Sequence, residues 1–183
     1  MKKMIKKLTV TVVLTGLMVC LTACGKSDKV KDDLYTYLTE MTEVQELQKS
    51  AINEYNTCVA NEEADSQQLL SSLQNSIIPN YENYLEKLNA VAPETEEVQN
   101  IKTVCVNGAN KQLEALNKVA EAIEACDTDL LNEADTLIVE SETLFSDYEN
   151  QLNALAAEHE INLVNSGAGA GQENNSAEVT EAE

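Results

Sequence analysis

The sequence predicts an all-α fold, an antiparallel up-down four-helix bundle that follows an N-terminal signal segment. Apolar residues recur three and four positions apart in four long runs between residues 30 and 163, the spacing of one buried helix face. The breaks between the runs are short, and short loops make neighbouring helices antiparallel. β-branched runs are scarce after residue 22, which argues against a sheet.

The composition excludes one large class of partner. The 183 residues include 12 Lys, no Arg and 32 Asp or Glu, which gives a net charge of −20. A chain this acidic cannot neutralise many phosphates, so nucleic-acid binding is not expected. The length suits one domain with tails.

The N-terminus has the pattern of an export signal. A basic start is followed by an apolar stretch without charge, from Leu8 to Thr22. This stretch is shorter than the roughly 20 residues that a membrane-spanning helix needs, so we expect a signal peptide. The lysines of the basic start are Lys2, Lys3, Lys6 and Lys7.

The signal ends in Leu21-Thr22-Ala23-Cys24, which resembles the lipobox of bacterial lipoproteins. The resemblance implies cleavage between Ala23 and Cys24 and a diacylglyceryl group on Cys24. It also implies a protein anchored by its lipid in the cell membrane, on the extracytoplasmic face. An acidic, Lys-rich and Arg-free lipoprotein is similar to products of low-GC Gram-positive bacteria.

The chain then divides into four parts. We expect a signal peptide over 1–23, a lipidated tether over 24–29, a helical bundle over 30–163 and a disordered acidic tail over 164–183. The tail is rich in Gly, Asn, Ser and Glu and cannot bury enough apolar surface to order itself. The mature chain keeps 8 Lys against 32 acids, a net charge of −24 that anionic lipid headgroups repel.

The first two helices are predicted from Val30 to Val59 and from Leu70 to Val91. Asp65 or Ser66 is the candidate N-cap between them. The second run contains Pro79, which lacks an N–H and clashes with the preceding turn. We favour a kink near Ile78-Pro79 in one helix, and the alternative is two helices broken at Ser76–Asn80.

The last two helices are predicted from Val98 to Ile123 and from Leu130 to Leu155. Pro93 fits the first turn of the third helix, where acidic residues favour the positive end of the helix dipole. The candidate cap of the fourth is Asp127 or Thr128. The acidic residues beside Pro93 are Glu94, Glu96 and Glu97.

The segment from Ile78 to Ile161 resembles small Gram-positive lipoproteins of unassigned activity. The resemblance rests on the Pro79–Leu88 run, the Ala92–Glu94 helix start, Asp127 after the third helix and the acidic, Leu-containing end at Tyr148–Ala156. It implies a helical-bundle lipoprotein and assigns no functional residue.

Three cysteines remain in the mature chain beside Cys24: Cys58, Cys105 and Cys126. The helix register places every pair about 15 Å or more apart, whereas a disulfide needs Cα atoms within about 7 Å. We therefore expect free, buried thiols. A different register, or the Pro79 kink, would bring one pair into reach.

The sequence contains no constellation that predicts an enzyme, a cofactor or a metal site. GxSxG, HExxH and CxxC are absent, and Ala156 stands where a Glu-x-x-His pair with His159 would need Glu. His159, the single histidine, is interpreted as a cation at a helix C-terminus. The segment after Asp127 resembles a calcium loop faintly, but Asn132 replaces the required Gly, and an acidic helix start explains it better.

Tyr81 and Tyr84 follow Pro79 and could line a pocket between helices, with Gln112 supplying a polar contact. The alternative is that all three belong to an ordinary core. Gln48, Gln112 and Ser141 lie on the apolar seams, where polar residues can also fix helix pairing.

These observations favour a non-enzymatic, membrane-anchored lipoprotein that acts as a spacer or interaction module in the envelope. Its expected partners are membrane lipid, through Cys24, and an envelope protein. The alternative is a ligand-binding bundle that grips a small molecule or peptide. A pocket above about 300 Å³ lined by Tyr81 and Tyr84 would favour the alternative.

Overall fold

The computed structural model describes residues 15–16, 28–61 and 65–165, with the backbone alone for 15–16, 164 and 165. Cys24, most of the predicted signal peptide and the predicted tail from residue 166 onward lie outside the described residues. The division of the chain into signal, tether, bundle and tail therefore stays a prediction.

Four helices make up most of the described chain. The first helix is α1 (Lys29–Ala60). The second consists of α2 (Ser66–Ser72), a π-helical turn (Leu73–Ile77) and α3 (Ile78–Ala90), which follow one another without a break. The third and fourth are α4 (Glu96–Ala125) and α5 (Thr128–Glu158). The prediction of an all-α fold with four helices is confirmed.

The second helix continues through Pro79. Every residue from 66 to 90 is helical, so the alternative of two helices broken at Ser76–Asn80 is wrong. In the π turn just before the proline, the Ile78 N–H donates to the Leu73 carbonyl, five residues back. This wider turn accommodates the proline ring, which would clash with the preceding turn of a regular α-helix.

Two of the predicted N-caps are confirmed. Asp65 forms a reciprocal capping box with Gln68: the Asp65 carboxylate accepts from the Gln68 N–H at 2.8 Å, and the Gln68 side chain accepts from the Asp65 N–H at 3.0 Å. Asp127 caps α5 by accepting from the Asp129 N–H at 2.8 Å.

The start of α4 differs from the prediction. Pro93 was expected in its first turn, but α4 begins at Glu96 and Pro93 lies in the preceding loop. The cap comes from another helix: the Asp33 carboxylate on α1 accepts from the Glu94 and Thr95 N–H groups at 3.0 and 2.8 Å. It also accepts from the Thr95 hydroxyl at 2.6 Å. Local spacing could not show a cap supplied from 62 residues away.

The core contains five tyrosines whose side chains are almost completely buried. They lie among aliphatic residues on the inner faces of α1, the second helix and α5, at positions on the predicted apolar runs, whereas α4 contributes no tyrosine. These tyrosines are Tyr37, Tyr55, Tyr81, Tyr84 and Tyr148.

α4 and α5 pack closely along their lengths. The Ser141 hydroxyl donates to the Gly108 carbonyl at 2.9 Å, and a Cβ atom at Gly108 would lie 3.2 Å from the Phe145 ring. The absence of a side chain at Gly108 therefore permits this approach. Two lysines of α4 pair with glutamates of α5, Lys111 with Glu140 at 2.8 Å and Lys118 with Glu133 at 3.3 Å.

The described residues also include one antiparallel pair of two-residue strands. β1 (Thr15–Gly16) pairs with β2 (Val164–Asn165), with Thr15 opposite Asn165. Because β1 lies in the predicted signal peptide, this pairing would be lost on cleavage. Among the described helices, none has the length and apolar character needed to cross a membrane.

Candidate functional site

The three residues predicted for a pocket come together in the core. Tyr81 and Tyr84 of α3 pack edge to face, with ring centroids 5.1 Å apart and planes at 74°. Gln112 of α4 lies beside Tyr81, and all three side chains are buried. The structure places these three side chains together, and their use as a ligand pocket stays a prediction.

Two members of this group, Tyr81 and Gln112, bond to each other and to Gln48 of α1. The Tyr81 hydroxyl donates to the Gln112 side-chain oxygen at 2.6 Å, and the Gln48 side-chain amide donates to the same oxygen at 3.1 Å. We call these three side chains, from α3, α4 and α1, the glutamine contact. Because a buried polar group without a partner is costly, the contact favours this alignment of three helices over shifted ones.

A second buried group lies nearby. The hydroxyls of Tyr37 on α1 and Tyr148 on α5 are 3.4 Å apart, which is long for an O–H···O bond. Cys105 of α4 lies close to both rings and to Tyr84. Burial raises the pKa of the Cys105 thiol to about 12 and raises the pKa of each of these tyrosines, so all four groups are neutral and unreactive while the core is closed.

The three described cysteines are free, as predicted. Their predicted burial is confirmed for Cys105 alone: Cys58 is half-buried and Cys126 is exposed. Cys126 lies past the last turn of α4 in a left-handed conformation with φ 53°, so its side chain leaves the apolar seam. The expected burial of Cys126 is therefore wrong, because this residue follows Ala125, the last residue of α4.

His159 joins the end of α5 to the start of α1. It ends α5 as its C-cap residue, as the sequence indicated, and its Nδ1 atom lies 2.6 Å from Oδ2 of Asp28. The other oxygen of Asp28 caps α1 by accepting from the Lys31 N–H at 3.2 Å. The bond to His159, followed by that from Lys31, lowers the pKa of Asp28 and keeps its carboxylate charged. We call the Asp28–His159 contact the end clasp.

A cavity of about 450 Å³ lies between the first turns of α1 and the loop before α4. Its walls are mostly charged, and the apolar part comes from a tyrosine ring, an alanine and a proline. The lining residues are Lys29, Asp32, Asp33, Thr36, Tyr37, Glu40, Ala92, Pro93 and Glu94. The sequence did not predict this cavity, because acidic residues on an exposed helix face look alike whether or not a loop folds over them.

The described residues contain no group of three or more His, Cys, Asp or Glu side chains that could hold a metal ion. The acidic segment after Asp127 forms the first turn of α5, with the Asp127 carboxylate bonded to the backbone of Asp129. The faint resemblance to a calcium loop therefore has a structural explanation.

Residues 5–173 match the family described as EMYY-motif containing lipoprotein. The chain belongs to this family. Membership identifies it as a bacterial lipoprotein, anchored to the membrane of the cell envelope through a lipidated cysteine, in agreement with the lipobox. The family description assigns no activity, ligand or protein partner.

The four letters of the family motif do not occur consecutively in this chain. Its single Glu-Met pair, Glu40–Met41, is followed by Thr42 and Glu43. Glu40 lines the cavity and Met41 is buried on the inner face of α1. Comparison with curated proteins and with solved structures gave no match.

Proposed function

We propose that this lipoprotein is a non-enzymatic spacer and interaction module, anchored by Cys24 on the extracytoplasmic face of the membrane. One observation carries the proposal: the end clasp places the last turn of α5 beside Asp28, four residues from the anchor. The N-terminus of α1 and the C-terminus of α5 then lie at the same tip of the bundle, next to the membrane. The distance from the anchor is within the roughly 14 Å that four extended residues can span.

The same contact sets which part of the molecule faces away from the membrane. α1 has 32 residues and is about 48 Å long at 1.5 Å per residue. The last residue of α1, Ala60, and the connection between α4 and α5 lie at its far end. A partner would therefore meet the chain around Asn61, Asp65 and Cys126–Asp127, well above the lipid surface.

Contacts between helices support the up-down arrangement that the proposal assumes. Between α4 and α5, residues later in one helix meet residues earlier in the other, as in Lys111–Glu140 and Lys118–Glu133. Between α1 and the second helix, Ser76 donates to Glu54. The parallel pair in this arrangement is α1 and α4, joined at Asp33–Thr95 and Gln48–Gln112.

Charge supports a body that stands away from the bilayer. The mature chain would carry −24, and like charge on anionic headgroups would repel it. The buried polar groups support a structural role, because the Tyr81 hydroxyl and the Gln48 amide both bond to the Gln112 oxygen within the core.

The anchor is tested with Cys24→Ser. Metabolic labelling with a radioactive fatty acid should mark the wild type and fail to mark the variant, which keeps its uncleaved signal. Cys58→Ser, in the mature body, is the matched control and should be labelled normally. Unchanged labelling of Cys24→Ser would refute the assignment of the anchor.

The orientation is tested by energy transfer to acceptor dyes in the headgroups of vesicles carrying the lipidated protein. One donor is attached to exposed Cys126; the other is attached at exposed Glu160, through Glu160→Cys in a Cys126→Ser chain. We expect strong transfer from position 160 and weak transfer from position 126. Equal transfer from the two positions would mean that the bundle lies along the membrane and is not a spacer.

The cavity favours a second candidate function, ligand binding. Its volume of about 450 Å³ falls within the range of small-molecule sites, although Tyr81 and Tyr84 do not line it. The acidic walls suit a cationic ligand, so a tetralysine peptide is the first probe and tetraalanine its control. Saturable amide shifts at Thr36 and Ala92, lost in Asp32→Asn/Glu40→Gln, would support this function. Equal shifts with both peptides would exclude specific binding.

A further inference from the structure

We propose that the bundle opens along one side, between α1 and α5, and that the end clasp holds this side closed. We call the interface between these two helices the α1–α5 seam. Opening would swing α5, together with α4, away from α1 at the seam while the Asp33–Thr95 and Gln48–Gln112 bonds between α1 and α4 stay in place. It would admit water to Tyr37, Tyr148 and Cys105 without unfolding the helices.

The first step is the strength of the α4–α5 interface. Cα atoms of the two helices lie within 8 Å of each other at many points along their lengths. The Ser141–Gly108 bond and the ion pairs of Lys111 and Lys118 also join them. An interface with close backbones and several bonds is expected to move as one unit.

The second step is the contrast with the seam. Although α1 and α5 are also neighbours, they show next to no Cα approach within 8 Å. Large side chains fill the space between them, and the central polar contact is the long one between the Tyr37 and Tyr148 hydroxyls, at 3.4 Å. Few close backbone contacts therefore have to be lost for these two helices to separate.

The third step is the position of the clasp. Asp28 and His159 lie at the anchor end of the seam, and their side chains are 39% and 17% exposed. A hydrogen-bonded pair at the edge of an interface can break locally, and its loss should allow the interface behind it to separate more often. The clasp joins α1 directly to the end of α5 and is attached to the tether through Asp28.

Cys105 provides a reporter of this motion. It is buried beside Tyr37 and Tyr148, and a buried thiol reacts only when its surroundings open. The experiment measures maleimide labelling of Cys105, resolved from Cys58 and Cys126 by mass spectrometry, on lipidated protein in phosphatidylcholine vesicles. Labelling rates are taken over a urea series, and global unfolding is followed by circular dichroism.

We expect labelling of Cys105 below the unfolding transition to depend on urea much less steeply than global unfolding does, because a local opening exposes less surface. Asp28→Asn keeps a capping oxygen for α1 but removes the charge of the clasp. It should speed labelling by about two- to fivefold, the range expected for weakening a partly exposed hydrogen-bonded pair. His159→Gln should act in the same direction.

Glu158→Gln is the matched control, since it removes a charge from the adjacent exposed residue without touching the clasp, and it should leave the rate unchanged. A urea dependence for Cys105 as steep as that of global unfolding would overturn the proposal. Equal acceleration by Asp28→Asn and Glu158→Gln would overturn the role of the clasp.

Discussion

Helix α5 contacts two neighbours in opposite ways. Against α4 it packs with small groups, where Gly108 lets the backbones approach and Ser141 bonds to the opposite backbone. Against α1 it packs with large rings, where Tyr37 and Tyr148 fill a wider space and barely reach hydrogen-bond distance. Both interfaces are buried, so the difference shows that burial alone does not fix how closely two helix backbones approach.

The largest expected effect tests how the wide interface is stabilised. Tyr148→Ala should lower the free energy of unfolding by about 3–5 kcal/mol, because it leaves a cavity where a fully buried ring stood. Tyr148→Phe keeps the ring and should cost less than about 1 kcal/mol, because the hydroxyl bond it removes is long. Urea denaturation measures both. Equal losses would show that the hydroxyl contact, and not ring packing, stabilises this interface.

The next effect concerns the glutamine contact, which ties α1, α3 and α4 together. Gln112→Leu should cost about 2–4 kcal/mol, because it leaves the Tyr81 hydroxyl and the Gln48 amide buried without their partner. The triple variant Gln112→Leu/Tyr81→Phe/Gln48→Leu removes all the polar groups and should recover most of the loss. If the triple variant were as unstable as the single one, the penalty would come from shape and not from unpaired polar atoms.

A smaller effect tests the close interface. Gly108→Val should cost about 1–3 kcal/mol, because its side chain must displace Phe145 and Leu144. Gly108→Ala adds a Cβ atom 3.2 Å from the Phe145 ring, but the better helix propensity of Ala, worth about 1 kcal/mol, should offset most of that strain. Chemical denaturation of both variants provides the measurement. A stable Gly108→Val chain would contradict the close approach of α4 and α5.

The smallest effect concerns Asp33, the carboxylate on α1 that caps α4. Burial acts to raise its pKa, but the bonds from Thr95 and Glu94 outweigh burial and leave the pKa below its ordinary value. A lowered pKa in the folded state means a contribution to stability that is present above about pH 4 and lost as the pH falls further. The advantage of the wild type over Asp33→Asn, below about 1 kcal/mol, should therefore be larger at pH 6 than at pH 2.5.

Urea titrations of wild type and Asp33→Asn at the two pH values measure this difference. Asp32→Asn is the control, since Asp32 is exposed on the same turn and does not cap α4. A difference that is the same at both pH values would contradict a contribution from the charged carboxylate.

Much of the fold was predictable because it depends on the order of residues within short segments of the sequence. The four runs of apolar residues gave the four helices, and Asp65 and Asp127 were recognisable as caps from their position before a helix. Two features were missed for different reasons. The cap that Asp33 provides for α4 depends on a contact between residues far apart in sequence. The π turn before Pro79 is local, but it is only one of the ways in which a helix can accommodate a proline.

The candidate site shows the same division. The neighbourhood of Tyr81, Tyr84 and Gln112 followed from their seam positions, but the bonds that join Tyr81 and Gln112 to Gln48 require the exact register of three helices. The cavity escaped prediction because a loop and the first turns of α1 form it together. The exposure of Cys126 was missed because it depends on the left-handed backbone conformation of the residue after α4, which the apolar pattern does not show.

The central claim is that the anchored bundle projects from the membrane as a spacer. Neutron reflectometry of the mature, lipidated chain in a supported phosphatidylcholine bilayer measures the thickness of the protein layer directly. An upright bundle with a 32-residue α1 should give a layer about 45–50 Å thick. A layer of about 20–25 Å, the width of two packed helices, would show that the bundle lies flat and would contradict the account.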